Sequence, residues 1–165
     1  MFINRNVFIY CMTSQYKEYV SPNVGNNISW ILWGVPKRFY KDSNSLEKLL
    51  KDGLKKDGLS PLDCSVHYFG EDAYTMLMPL SESHLSVHTY KEHDCMVFGL
   101  YSCLDQNSGM KTYQTTLDKI KPEHHVLFRN DMPLIPSEIN NARYSYSIIN
   151  AYNDREHYKI PPKKK

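Results

Sequence analysis

The sequence lacks the features that mark membrane, secreted and nucleic-acid-binding proteins. No apolar stretch approaches the roughly 20 residues that a membrane-spanning helix needs. Residues 1–15 contain one basic residue and only a short apolar run, which does not predict a signal peptide. The 20 Lys and Arg residues are mixed with 18 Asp and Glu residues, and the formal charge of +2 gives no strong field for nucleic acid or anionic lipid. We therefore expect a cytoplasmic protein with a small-molecule or protein partner, without nucleic-acid or membrane contact.

The cysteines lack the spacing of metal-binding or redox motifs. The four cysteines, Cys11, Cys64, Cys95 and Cys103, show no C-x-x-C spacing, so neither a zinc site nor a disulfide framework is indicated. A chain of 165 residues does not need disulfides to hold its core. We therefore expect free thiols and no metal.

The amino-acid composition is typical of a folded globular domain. The chain is 41% hydrophobic and 23% charged, as is usual for globular proteins, and its length predicts one domain. We predict an irregular N-terminal extension over residues 1–27, with one possible strand at residues 7–11. A globular domain then covers residues 28–132, and a polar, surface-running tail covers residues 133–165.

The hydrophobic pattern predicts a mixed fold. Leucines recur at helical spacing between Asn44 and Gly58, and a weaker helix is predicted over residues 107–120. Short runs rich in β-branched and aromatic residues indicate strands at residues 28–33, 64–69, 74–80, 84–90, 95–103 and 124–130. Because the links between most strands are short, neighbouring strands are expected to be antiparallel. The predicted fold is α/β of the α+β type, a two-layer sandwich with an antiparallel sheet and two helices on one face.

One predicted strand is unusually polar. Residues 80–88 hold three serines, two histidines and a carboxylate, and burying such groups without hydrogen bonds costs several kcal/mol. The strand period of two places His84, Ser86, His88 and Tyr90 on one face. The pattern alone leaves two interpretations open, namely a functional site and a solvent-exposed face that carries histidines.

The segment SESHLSVHTYKE (residues 81–92) resembles the motif around the self-cleavage site of prokaryotic S-adenosylmethionine decarboxylases. In that motif Glu-Ser-His is followed by His-Thr-Trp-Pro-Glu. When Ser83 is placed on the family's reactive serine, further family positions match without a gap at Phe69, Thr75, His88, Glu92 and Cys103. The resemblance covers about residues 28–130. The chain departs from the family pattern at Thr75 for Ser, Tyr90 for Trp, Lys91 for Pro and Leu104 for Gly.

The resemblance implies a defined chemistry. Cleavage between Glu82 and Ser83 would leave a pyruvoyl group, derived from Ser83, as the cofactor. His88 is implied as the base for this self-processing, and Thr75 as a hydrogen-bond donor to the transient oxyanion. Cys103 is implied as the general acid that protonates the substrate carbon after carbon dioxide has left.

The resemblance also implies the substrate, S-adenosylmethionine, whose decarboxylated product is the aminopropyl donor for spermidine synthesis. Phe69 and Tyr90 would stack on the adenine, and Glu92 would accept hydrogen bonds from the ribose hydroxyls. A homodimer of cleaved protomers is expected. Two alternatives remain, namely a pyruvoyl-dependent arginine or ornithine decarboxylase on the same scaffold, and a silent homologue that is not cleaved and binds an active partner.

Overall fold

The structure is a computed structural model that describes residues 20–81, 83–142 and 144–150. These residues form one antiparallel sheet with the strand order β2-β3-β4-β5-β1-β6-β7. The strands are β1 (Val24–Trp33), β2 (Ser65–Gly70), β3 (Ala73–Pro79), β4 (His84–Tyr90), β5 (Cys95–Ser102), β6 (His124–Pro133) and β7 (Tyr144–Asn150). The helices are α1 (Arg38–Lys41), α2 (Ser43–Lys56) and α3 (Met110–Ile120), with short 3-10 helices at Lys91–His93 and Pro136–Asn141.

Strand β1 lies inside the sheet because its apolar residues pair on both sides. Trp30 is the register partner of Phe98 on β5 and of Leu127 on β6. The Trp30 ring also stacks on Phe98, with 4.9 Å between the ring centroids. The run ISWILW (residues 28–33), which the sequence predicted to be a strand, thus lies in an internal strand of the sheet.

The helices cover one face of the sheet and close the core. Leu46, Leu50 and Leu54 of α2 are fully buried in the same cluster as Trp30, and Tyr113 of α3 packs edge-on against Trp30. Burial of these leucines supplies about 1.5–3 kcal/mol each before the cost of ordering the chain. The predicted two-layer sandwich with helices on one face is therefore confirmed.

The helix starts differ from the predicted ones. The N-cap of α2 is Asp42, whose carboxylate accepts a hydrogen bond from the Ser45 backbone N–H at 3.0 Å, so α2 starts before Asn44. Helix α3 starts at Met110 because Gly109 adopts a φ of 93°, a left-handed conformation that glycine accepts without strain.

The sheet extends beyond both predicted limits of the globular domain. Strand β1 begins at Val24 instead of Ile28. Residues 144–150 pair with β6 as strand β7, so the prediction of a surface-running tail is wrong for this segment. Its sequence, YSYSIIN, is rich in aromatic and β-branched residues, which favour pairing with an available strand edge. The possible strand at residues 7–11 lies outside the described residues.

The opposite side of the sheet, here termed the open face, carries His84, Ser86, His88 and Tyr90 of β4. The buried neighbours Leu85, Val87 and Thr89 point instead into the helix-covered core.

No helix in the described ranges has both the length and the apolar character needed to cross a membrane.

Candidate active site

The predicted serine lies in the turn that joins β3 to β4. Pro79 and His84 are the last register partners of this hairpin, and the Leu80 backbone N–H donates to the Ser83 carbonyl oxygen at 2.9 Å. The turn is tied to a second loop because the Ser81 N–H donates to the Ser60 carbonyl at 3.2 Å. Ser83 is half-buried, whereas Glu82 lies outside the described residues.

Ser83 and Cys103 are brought together by the pairing of β4 with β5. Cys103 follows directly after β5, and its backbone N–H donates to Ser83 Oγ at 3.3 Å. The Cys103 thiol donates to the Tyr101 hydroxyl, with 3.2 Å between Sγ and Oη. The predicted nucleophile and the predicted general acid are thus neighbours, although they are 20 positions apart in the chain.

Thr75 and His88 form a second polar pair. They are register partners on β3 and β4, and Thr75 Oγ1 lies 2.6 Å from His88 Nδ1. This contact restrains the orientation of the imidazole, and either tautomer of His88 can form it because a hydroxyl both donates and accepts. The two residues assigned to self-processing by resemblance are therefore hydrogen-bonded to each other.

The two pairs lie at opposite ends of β4. Ser83 and His88 are five positions apart in the chain, and an extended strand of that length spans about 16 Å. Hydrogen-bond distances are about 3 Å, so the Thr75–His88 pair of one chain does not reach Ser83 of the same chain. We term these regions the Ser83 end and the His88 end of the site.

The two predicted adenine-binding rings gather at the His88 end. Phe69 stacks on the His88 imidazole, with 5.2 Å between centroids and 16° between planes. Tyr90 contacts the same imidazole at 4.6 Å with a tilt of 52°. Both aromatic rings are well exposed, Phe69 by 51% and Tyr90 by 36%. The His88 imidazole thus contacts both of the rings that were predicted to stack on the adenine.

Glu92 lies on the exposed 3-10 helix that follows Tyr90. This turn is tied to the β2–β3 hairpin by Lys91, whose Nζ lies 3.1 Å from Asp72 Oδ2. Lys41 contacts the other oxygen of Asp72 at 3.5 Å. The hydrogen bond from Lys91, supported by Lys41, lowers the pKa of Asp72. Lys91 therefore replaces the proline of the family motif with an ion pair that connects the Glu92 turn to the strand pair carrying Phe69.

The cysteines have different environments. Cys64, Cys95 and Cys103 are free thiols, as expected, and Cys11 lies outside the described residues. Burial raises the pKa of Cys64 to about 11 and also raises the pKa of Cys95, which disfavours thiolate chemistry at both. Among the described residues, no group of three or more His, Cys, Asp or Glu side chains is placed to hold a metal ion.

Sequence reasoning did not identify Tyr101. Its hydroxyl contacts the Cys103 thiol, and its ring stacks on His84 with 5.7 Å between centroids. The available signal was its position two residues before Cys103, which in a strand places both side chains on one face.

Comparison with known proteins agrees with the motif. Residues 27–131 match the family described as S-adenosylmethionine decarboxylase. The chain is 28% identical over 109 residues to an S-adenosylmethionine decarboxylase proenzyme of Pyrobaculum neutrophilum, covering 66% of this chain and 88% of the relative. It is 27% identical to the corresponding proenzyme of Archaeoglobus fulgidus, covering 64% and 97%. The crystal structure of the adenosylmethionine decarboxylase from Aquifex aeolicus has a similar fold, with a TM-score of 0.57, 20% identity and coverage of 67% and 90%.

Proposed function

Because the chain belongs to the S-adenosylmethionine decarboxylase family, we propose that it is a proenzyme that cleaves itself between Glu82 and Ser83 and then decarboxylates S-adenosylmethionine. The product is the aminopropyl donor for spermidine synthesis. The observation that carries this proposal is the contact of Ser83 Oγ with the Cys103 N–H, next to the Cys103 thiol. The compared relatives are named S-adenosylmethionine decarboxylase proenzymes, so a basic-amino-acid decarboxylase and a silent homologue are not favoured.

Self-cleavage starts with the Ser83 hydroxyl. Its oxygen attacks the Glu82 carbonyl carbon, and the acyl group moves from nitrogen to oxygen as an ester. Loss of the Ser83 α-proton then expels the ester as the carboxylate of the first chain. Water adds to the remaining dehydroalanine, and ammonia leaves, so that a ketone stands at the start of the second chain. The hairpin turn supports this chemistry because the Ser83 oxygen is held by the Cys103 N–H.

The residues around Ser83 fit the pyruvoyl group that this cleavage would leave. The Leu80 N–H already binds the Ser83 carbonyl oxygen at 2.9 Å, and the Cys103 N–H faces the side chain at 3.3 Å. The Leu80 N–H would therefore hold the carbonyl oxygen that the group keeps, whereas the Cys103 N–H holds Ser83 Oγ only until that oxygen leaves with the first chain. When formed, the group supplies a ketone conjugated to an amide, which accepts the electrons released with carbon dioxide.

Protonation of the substrate carbon is assigned to Cys103. Its Sγ lies 3.2 Å from the Tyr101 hydroxyl oxygen, next to the backbone N–H that holds Ser83, and a neutral thiol at this place has a proton to transfer. The S–H bond breaks, a C–H bond forms at the carbon that has lost carbon dioxide, and the thiolate regains a proton from water.

The site is completed by a second copy of the chain. The Thr75–His88 pair lies about 16 Å along the strand from Ser83 of the same chain, which is too far for a base. A two-fold axis that packs two open faces together would place the His88 end of one protomer over the Ser83 end of the other. The half-buried apolar residues Ile31, Val97 and Phe128 lie on the open face beside the site and suit such an interface. We therefore propose a homodimer with two shared sites.

Substrate recognition is assigned to the His88 end. Phe69 and Tyr90 offer exposed ring surfaces for the adenine, and ring faces also tolerate a nearby sulfonium. Glu92 offers a carboxylate for the ribose hydroxyls. The ion pair of Lys91 with Asp72 holds the Glu92 turn beside the strand pair that carries Phe69.

The proposal is tested by intact mass and by substrate choice. The purified protein should contain chains of 82 and 83 residues, which together account for the 165 residues of the proenzyme. Ser83→Ala should stay full-length, whereas the control Ser81→Ala should be cleaved like the wild type. The cleaved protein should release carbon dioxide from carboxyl-labelled S-adenosylmethionine and not from ornithine or arginine. A full-length wild-type chain, or release from a basic amino acid alone, would contradict the proposal.

A further inference from the structure

Tyr101 connects the two chemical groups at the Ser83 end. It is the register partner of His84, the residue that directly follows Ser83, and the two rings stack at 5.7 Å with 27° between planes. Its hydroxyl accepts from the Cys103 thiol at 3.2 Å. The phenol therefore spans the distance between the residue next to the reactive serine and the sulfur.

A glycine on the neighbouring strand leaves room for the Tyr101 hydroxyl. A Cβ atom at Gly25 would lie 3.2 Å from the Tyr101 hydroxyl oxygen and 3.3 Å from the Ser102 carbonyl oxygen. Such contacts are tighter than ordinary van der Waals distances, so a larger residue at position 25 would displace the phenol or the strand. The absence of a side chain at Gly25 thus makes room for the hydroxyl beside the sulfur.

A phenol is suited to both protonation states of the thiol. Its oxygen accepts the hydrogen bond of the neutral S–H, and its O–H can rotate to donate to the sulfur once the proton has left. Hydrogen bonds to a charged group are stronger than those between neutral groups. The contact therefore favours the thiolate formed when Cys103 gives up its proton.

We infer that Tyr101 is a positioning residue that aims the Cys103 thiol at the substrate carbon and stabilises the thiolate left after proton transfer. This inference rests on the proposed function, because it assigns Tyr101 a role in the same protonation step. Tyr101 itself gives up no proton to the substrate. It acts on the substrate only through the Cys103 sulfur, and it has no role in self-cleavage.

The first test measures the thiol without any turnover. In the full-length Ser83→Ala protein, the rate at which iodoacetamide alkylates Cys103 is followed against pH, and the Cys103 peptide is quantified by mass spectrometry. Adding Tyr101→Phe removes only the hydroxyl and should move the pH midpoint of alkylation upward by about one unit, as expected for one lost hydrogen bond to a charged group. Tyr68→Phe, which loses a hydroxyl contact with Ser43 at 2.7 Å on the helix side, should leave the midpoint unchanged. An unchanged midpoint in Tyr101→Phe would overturn the inference.

The second test separates turnover from processing. Tyr101→Phe in the otherwise wild-type protein should be cleaved fully, with kcat for S-adenosylmethionine lowered about tenfold and KM little changed. Gly25→Ala, which keeps the phenol but crowds its hydroxyl, should shift the alkylation midpoint in the same direction. If the wild type is not cleaved or does not use S-adenosylmethionine, the proposed function fails. The alkylation comparison would still show whether the Tyr101 hydroxyl stabilises the Cys103 thiolate. Normal kcat in Tyr101→Phe would refute the positioning role.

Discussion

Self-cleavage should require His88 from the partner protomer, and two inactive variants should restore it when they are expressed together. His88→Ala alone should stay full-length because the base is missing, and Ser83→Ala alone because the nucleophile is missing. In a mixed dimer, the His88→Ala chain still carries Ser83 and receives His88 from its partner. That chain should therefore be cleaved, whereas the Ser83→Ala chain should not.

The size of the effect follows from the geometry. Ser83 and His88 of one chain are about 16 Å apart along an extended strand, which rules out direct proton transfer within one protomer in this arrangement. With equal expression and random pairing, about half of the His88→Ala chains meet a Ser83→Ala partner across the two-fold interface. About half of them should be cleaved, a fraction that mass spectrometry resolves because the two variants differ in mass.

The control pairs His88→Ala with the double variant Ser83→Ala, His88→Ala, in which neither chain supplies an imidazole. No cleavage is expected there. If co-expression of the two single variants gives no cleaved chain while the wild type is processed, the shared site is refuted and His88 acts within its own protomer. Cleavage of His88→Ala by itself would show that another group is the base.

Three further predictions concern single residues. Cys103→Ala should still be cleaved, at least in part, while decarboxylation falls by roughly 10²–10⁴, the contribution of a positioned general acid; full activity would make Cys103 a packing residue. Glu92→Gln should leave cleavage intact and raise KM for S-adenosylmethionine about tenfold or more. The matched control Glu71→Gln should leave both cleavage and KM unchanged. His125, whose Nδ1 lies 2.7 Å from the Tyr113 hydroxyl, has a pKa lowered from 6.5 by burial. The folded state then binds fewer protons than the unfolded state, so the free energy of unfolding should fall as the pH drops below 6.5. Urea titrations at neutral and acidic pH should show a smaller fall in His125→Gln, and an equal fall would refute this assignment.

The sequence alone determined the parts of the molecule that depend on local pattern. Strand β4 was predictable because polar and apolar residues alternate with the period of an extended chain, and this also identified the face that carries His84 and His88. The leucines of α2 recur with the helical period, which predicted the helix and the side that it buries. The family resemblance rested on spacing along the chain, so it assigned roles to Ser83, His88 and Cys103 without any coordinates.

The tertiary structure decided which of these residues meet. The contact between Cys103 and Ser83 needs the pairing of β4 with β5, and the Thr75–His88 pair needs the register between β3 and β4. Strand β7 forms by pairing with the free edge of β6, and the local sequence pattern does not show which strand has a free edge. The hydroxyl of Tyr101 depends on space left by Gly25 on another strand. Each of these features arises from strand pairing between segments that are distant in the chain, which a local pattern does not encode.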